Sequence, residues 1–148
     1  MKRSQRLESV VQLAQNRAQE AAQALAFVQQ RLQDEQNKLE QLQQYLAEYR
    51  DTVAQEGSKG LTVAVFRRYK DFSDNVSKAI AAQTQQVSTV RRQVEQVRRH
   101  WQMLDAKHQG LLKMQDNARQ AENLLSRRQE QKELDEMAGR WHLRPPGM

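Results

Sequence analysis

The residues that could hold a metal or move a proton are His100, His108 and His142, and their spacing argues against both roles. Two histidines that share a metal from one helix face stand one turn apart, and no two of these do. The chain has no cysteine, so thiolate nucleophiles, disulfides and zinc-finger chemistry are absent together. No glycine-rich loop is spaced to cradle phosphate. No catalytic residue, metal ligand or cofactor is therefore assigned, and the chain reads as a non-enzyme. The chemistry that remains is association. In LQQYLAEYRDTVA, Tyr45 and Tyr49 stand one helical turn apart within a strongly polar chain, and such a pair is either buried against its own chain or offered to another.

The elements that position those rings follow from composition and period. Of 148 residues, 38% are hydrophobic and 5% aromatic, too few for a thick globular core. The two prolines, Pro145 and Pro146, lie at the C-terminus, so continuous helix is permitted almost throughout, and Gln, Ala, Glu, Leu and Arg favour it. From Leu7, apolar residues recur in alternating steps of four and three: Leu7, Val11, Ala14, Ala18, Ala21, Leu25, Val28, Leu32, Glu35, Leu39, Leu42, Leu46, Tyr49, Val53. Only Glu35 breaks the stripe. A seven-residue repeat held this long marks a left-handed coiled coil. Val11, Leu25 and Leu46 take position a of the heptad, and Leu7, Ala14 and Tyr49 position d.

The stripe stops at QEGSKGLT, where Gly57, Ser58 and Gly60 interrupt it and Thr62 can cap a new helix. A second stripe runs from Phe66 through Tyr69, Ser73, Val76, Ile80, Gln83, Val87, Val90, Val94, Val97, Trp101, Leu104, His108, Leu111, Gln115, Ala118 and Glu122 to Leu125. The expected fold is all-α: two long helices joined by a short turn into an antiparallel two-stranded coiled-coil hairpin, monomeric because its seam is satisfied within one chain. The hairpin is expected over residues 1–141, with helix one at about 3–54, the turn at about 55–62 and helix two at about 63–138. A flexible tail is expected at 142–148. Trp101 is expected to face the small seam residues Ala14 to Ala21, and helix two is expected to run on without a partner after about residue 116.

The lettering separates the tyrosines. Tyr49 is a seam residue, whereas Tyr45 is a g position on the flank. In an antiparallel pair the g positions of both helices line one side and the e positions the other. Near the turn the e side is polar, with Gln36, Gln43 and Arg50 against Lys70, Ser77 and Thr84. The g side reads Lys38, Tyr45 and Thr52 against Val65, Phe72 and Ala79, with Leu42 and Val76 just beneath. A two-stranded coiled coil has no third layer to cover such a patch, so Tyr45 and Phe72 read as outward-facing.

The net charge of +6, from 24 Lys+Arg over 18 Asp+Glu, favours acidic partners on approach. The basic stripe of VRRQVEQVRRHW reads as a solvated face, diluted by Glu95 and glutamines, and nucleic acid is not an expected partner. No apolar run is long enough to insert in a membrane. Lys2, Arg3 and Arg6 at the first helix start, and Glu130, Glu133, Asp135 and Glu136 near the second helix end, oppose the helix dipoles, so both ends should fray when free. Glu35 and Gln83, polar breaks in the two stripes, are placed to meet across the hairpin and fix register.

RLESVVQLAQNRAQEAAQAL, LEQLQQYLAEYR and FRRYKDFSDNVSKAI, with the Leu-x-x-Tyr-x-x-x-Tyr spacing of residues 42–49 and the spacing of Phe72, Val76 and Ala79, resemble the FliJ family of the bacterial flagellar type III export apparatus. The resemblance implies a hairpin similar to the gamma-subunit stalk of rotary ATPases. It implies an open end that associates with the hexameric export ATPase, for which Arg3, Arg6 and Arg17 are the candidate contacts. It further implies that Leu42, Tyr45, Tyr49, Phe72, Val76 and Ala79 meet the cytoplasmic domain of the export-gate membrane protein FlhA, and that export chaperones bind. Localisation would be cytoplasmic, held peripherally at the inner membrane through the apparatus. Two other readings stay open on the residues: the equivalent stalk of a virulence secretion system, and a generic coiled-coil interaction protein. Cysteines introduced at Leu25 and Val97 should form a disulfide within one chain, scored by non-reducing electrophoresis; products that are only interchain would contradict the hairpin.

Overall fold

The computed structural model describes residues 1–143; residues 144–148, part of the expected tail, lie outside the described residues. Two helices, α1 (Arg3–Gly57) and α2 (Val63–Leu143), pack together as a helical hairpin. The chain divides into two compact units, Glu20–Gln102 and Met1–Gln19 with the part of α2 from Met103 on.

The first unit holds the turn. The amide of Lys59 donates to the carbonyl of Glu56 at 3.0 Å, and that of Gly60 to Gly57 at 3.1 Å. Gly60 has φ of 95°, which a residue without Cβ adopts freely. Thr62 then caps α2, its Oγ1 accepting from the amide of Val65 at 3.3 Å. Beyond the turn Ala21, Leu46, Val87, Val90 and Val94 are buried, with Val90 fully enclosed. Glu35 and Gln83 meet as the two stripes required. The Gln83 amide donates to the backbone carbonyl of Glu35 at 3.0 Å and to its carboxylate. The same bond, with Lys38 beside it, holds the Glu35 carboxyl below its ordinary value despite partial burial. Arg31 reaches Gln93 at 3.5 Å, one g position to another, as antiparallel pairing demands.

The second unit holds the chain ends. Val11, Ala14, Ala18 and Ala118 are buried, together with the polar Ser4 and Gln115. The Gln115 amide donates to the Ser4 carbonyl at 3.1 Å and to the Glu8 carboxylate, repeating the arrangement of Gln83 with Glu35. Glu122 receives the Ser4 amide at 3.0 Å and the Ser4 hydroxyl at 2.6 Å. Arg119 stands 3.4 Å from Glu8.

Three expectations are corrected. Pairing does not end near residue 116: it continues to Glu122, because α1 begins early enough for Ser4 to reach it. Helix α2 runs to Leu143 rather than stopping near 138, so the acidic cluster from Glu130 to Glu136 is helix interior. The last turn instead carries Arg140 and His142, which suit the negative end of the dipole. At the start of α1 no acidic residue lies in the first turn, but Glu122 supplies from α2 the carboxylate that an N-terminus prefers. The outer members of the second stripe also differ: Phe66 is 54% and Leu125 64% exposed.

The hydrogen bonds from Ser4, side chain first and backbone second, hold the Glu122 carboxyl below its ordinary value near 4.5. A carboxyl depressed in the folded state stabilises that state above the unfolded value, and the contribution is lost as pH falls through the folded value. Hydrogen exchange of the Ser4 to Glu8 amides, corrected for intrinsic rates, should therefore accelerate as pH falls from 7 toward 3. Glu122→Ala should show the faster exchange already at pH 7. Protection that is indifferent to both changes would show that Glu122 does not anchor the start of α1.

Candidate functional site

The site begins with spacing. On α1, Leu42, Tyr45 and Tyr49 follow a three-four step that keeps them on neighbouring rows; on α2, Tyr69, Phe72, Val76 and Ala79 do the same within the turn-bearing unit. Antiparallel pairing brings these two sets together. The Tyr49 ring lies 4.3 Å from that of Phe72, tilted by 52°, and 5.6 Å from that of Tyr69 in a stacked arrangement. Phe72 in turn meets Tyr45 edge-on, with centroids 5.8 Å apart and planes at 71°. Four rings thus form one connected cluster through three contacts, of which the edge-on Tyr45–Phe72 pair and the stacked Tyr49–Tyr69 pair have separations at which aromatic quadrupoles attract.

Exposure grades across the cluster. Tyr49, Tyr69, Leu42 and Val76 are half-buried, Tyr45 is 52% exposed, and Ala79 is exposed. Phe72, expected to face outward with Tyr45, is half-buried and lies between the two tyrosines, so it joins the seam to the surface ring. A shallow groove lined by Lys38, Gln41, Leu42, Tyr45 and Gln83 continues the surface to the Gln83 and Glu35 pair. Toward the turn, Val65 and Phe66 are exposed and enlarge the apolar area. By heptad position Tyr69 and Phe66 are seam residues. Tyr69 could have been found as part of the cluster from its three-residue step to Phe72.

Arg3, Arg6 and Arg17 belong to the unit of the chain ends; all three are exposed, and none makes an ion pair among the described residues. His100 and His142 are exposed and His108 is half-buried. Among the described residues, no group of three or more His, Cys, Asp or Glu is arranged to hold a metal ion, and no helix is long and apolar enough to cross a membrane.

A helical hairpin with a connected aromatic cluster beside its turn is a two-helix coiled-coil protein. The family model described as "Flagellar FliJ protein" matches residues 2–147, and the chain belongs to that family, a component of the flagellar export apparatus. It is similar to the flagellar FliJ protein of Escherichia coli (strain K12), at 27% identity over 140 residues that span 95% of each chain. It is likewise similar to that of Salmonella typhi, at 26% over 140 residues and the same coverage. No solved structure matches.

The graded exposure fixes an order of stability effects. Tyr45→Ala should cost on the order of 1 kcal/mol, because half of that ring is already in water. Tyr49→Ala should cost about 3 kcal/mol, because it removes two ring contacts and leaves a gap in the seam. Phe72→Ala should fall between them. Chemical denaturation of the three variants checks the order, and equal midpoint shifts for Tyr45→Ala and Tyr49→Ala would contradict it.

Proposed function

We propose that the chain is a non-enzymatic stalk and adaptor that couples the hexameric export ATPase to the export gate. The carrying observation is the aromatic cluster: four rings linked in a chain of three contacts, one of them half exposed, on the flank of the hairpin. Binding surfaces concentrate their energy in such aromatic anchors, and rings held by their neighbours lose little freedom on binding. Leu42, Tyr45, Tyr49, Phe72, Val76 and Ala79 would meet the cytoplasmic domain of the gate protein FlhA. Arg3, Arg6 and Arg17, exposed and without ion pairs among the described residues, would meet the ATPase. Export chaperones are further partners in this reading, and the working location is the cytoplasmic face of the inner membrane, reached through the apparatus. Family membership supports the flagellar system over a virulence one.

The two contacts separate by mutation. Tyr45→Ala should weaken binding to the gate domain by about thirtyfold, or roughly 2 kcal/mol, and leave ATPase capture unchanged. Removing the residues after about position 126, or reversing the charges of Arg3 and Arg6, should do the opposite. Calorimetry with the isolated gate domain and affinity capture of the ATPase measure the two arms; loss of both interactions in each variant would contradict separate surfaces.

A further inference from the structure

The unit of the chain ends carries a second apolar surface that the aromatic cluster does not explain. Val10 and Leu13 are 45% and 51% exposed, and with Leu111 they border a groove floored by Leu104 and the buried seam residue Ala14. The seam does not require Leu13. It occupies a c position, and the c positions that follow along α1 are Glu20, Phe27, Asp34, Gln41 and Glu48, all polar but one. Arg17 from α1 and Lys107 from α2, both g positions, line the same groove. Both are exposed, and neither makes an ion pair among the described residues. Met114, one turn beyond Leu111, is 44% exposed and adds an adaptable apolar neighbour.

We infer that this groove receives an acidic amphipathic helix from a partner protein. A helix laid between two helices supplies the third layer that a two-stranded pair lacks, and its apolar residues would cover Val10, Leu13 and Leu111. The charges set its chemistry and polarity. Arg17 lies four residues from Leu13 and seven from Val10 along α1, or about 6 to 10 Å at helical rise. The occupant therefore places carboxylates over Arg17 and Lys107, and apolar anchors one to two turns further on. Among the described residues neither cation has an acid to release, so both are open to the partner's carboxylates. The inference goes beyond the ATPase reading and stands whether or not Arg17 also meets an ATPase.

The probe is a stapled helical peptide of about 15 residues, long enough to need the staple in water. It carries two glutamates in its first turn and leucines three, four and seven residues further on, and a second peptide has lysines in place of the glutamates. Fluorescence anisotropy against the full chain should show the acidic peptide binding at least about tenfold tighter than the lysine peptide. The double variant Arg17→Glu with Lys107→Glu should invert that preference. Leu13→Ser should weaken the preferred peptide by about tenfold, and Tyr45→Ala should change neither affinity. All four substitutions lie at exposed positions, and circular dichroism confirms folding before binding is read. Equal affinity for the two peptides, a preference unmoved by the double charge reversal, or loss of binding in Tyr45→Ala would each overturn the assignment.

Discussion

Each helix of this protein has one neighbour. Among the described residues everything else depends on that seam, because no third helix or strand adds burial on the flanks. Among the described residues the buried apolar ones are accordingly few and small, mainly alanines and valines with one leucine. Such a seam is also repetitive. Sliding one helix by a heptad would leave apolar residues opposite apolar residues along most of its length, so apolar packing alone holds register weakly. The polar interruptions supply what is missing. In one unit Gln83 bonds both the carbonyl and the carboxylate of Glu35, and in the other Gln115 bonds the Ser4 carbonyl and the Glu8 carboxylate. A slipped register would part these partners and leave polar groups buried without hydrogen bonds.

The same constraint leaves aromatic side chains at the surface. On a globular domain Tyr45 and Phe66 would be covered by another layer; here the flank is the outside. What keeps the aromatic cluster from being a loose apolar patch is its connection to the seam. Tyr49 is held by the seam, Phe72 rests on Tyr49, and Tyr45 rests on the edge of Phe72. An anchor ordered before its partner arrives has less conformational freedom to lose on association.

The seven-residue period made most of the fold legible. Every member of the first stripe, from Leu7 to Val53, is buried or half-buried, and so is the second stripe from Tyr69 to Glu122. The two members that fail, Phe66 and Leu125, stand at opposite ends of that stripe. Phe66 lies in the first turn of α2, and Leu125 lies past the residue that receives Ser4. A period carries no information about where the facing helix stops. The pairing extends further than the apolar stripe suggests for a related reason. Gln115 and Glu122 look like failures of an apolar stripe, whereas their hydrogen bonds make them its terminal fastenings. Phe72 lies further inward than its g position implies, because heptad letters treat all g positions alike whereas this one packs against the Tyr49 ring.

Beyond Glu122, α2 continues with a different logic. The positions that would prolong the seam are Gln129, Lys132, Glu136 and Gly139, while Leu134, Met137 and Trp141 share another face and are all exposed. The extension is therefore not a seam awaiting a longer α1. An isolated helix of this length is marginal in water, chiefly because its first turn is costly to form. This one grows from a helix already nucleated by packing, so each added residue gains a backbone bond without that initial cost. Gln129 with Glu133 and Gln131 with Asp135 add side-chain pairs one turn apart, each worth a few tenths of a kcal/mol in typical helices. Continuity with the paired part of α2 thus lets the helix run onward, with Leu134 and Met137 exposed along one face.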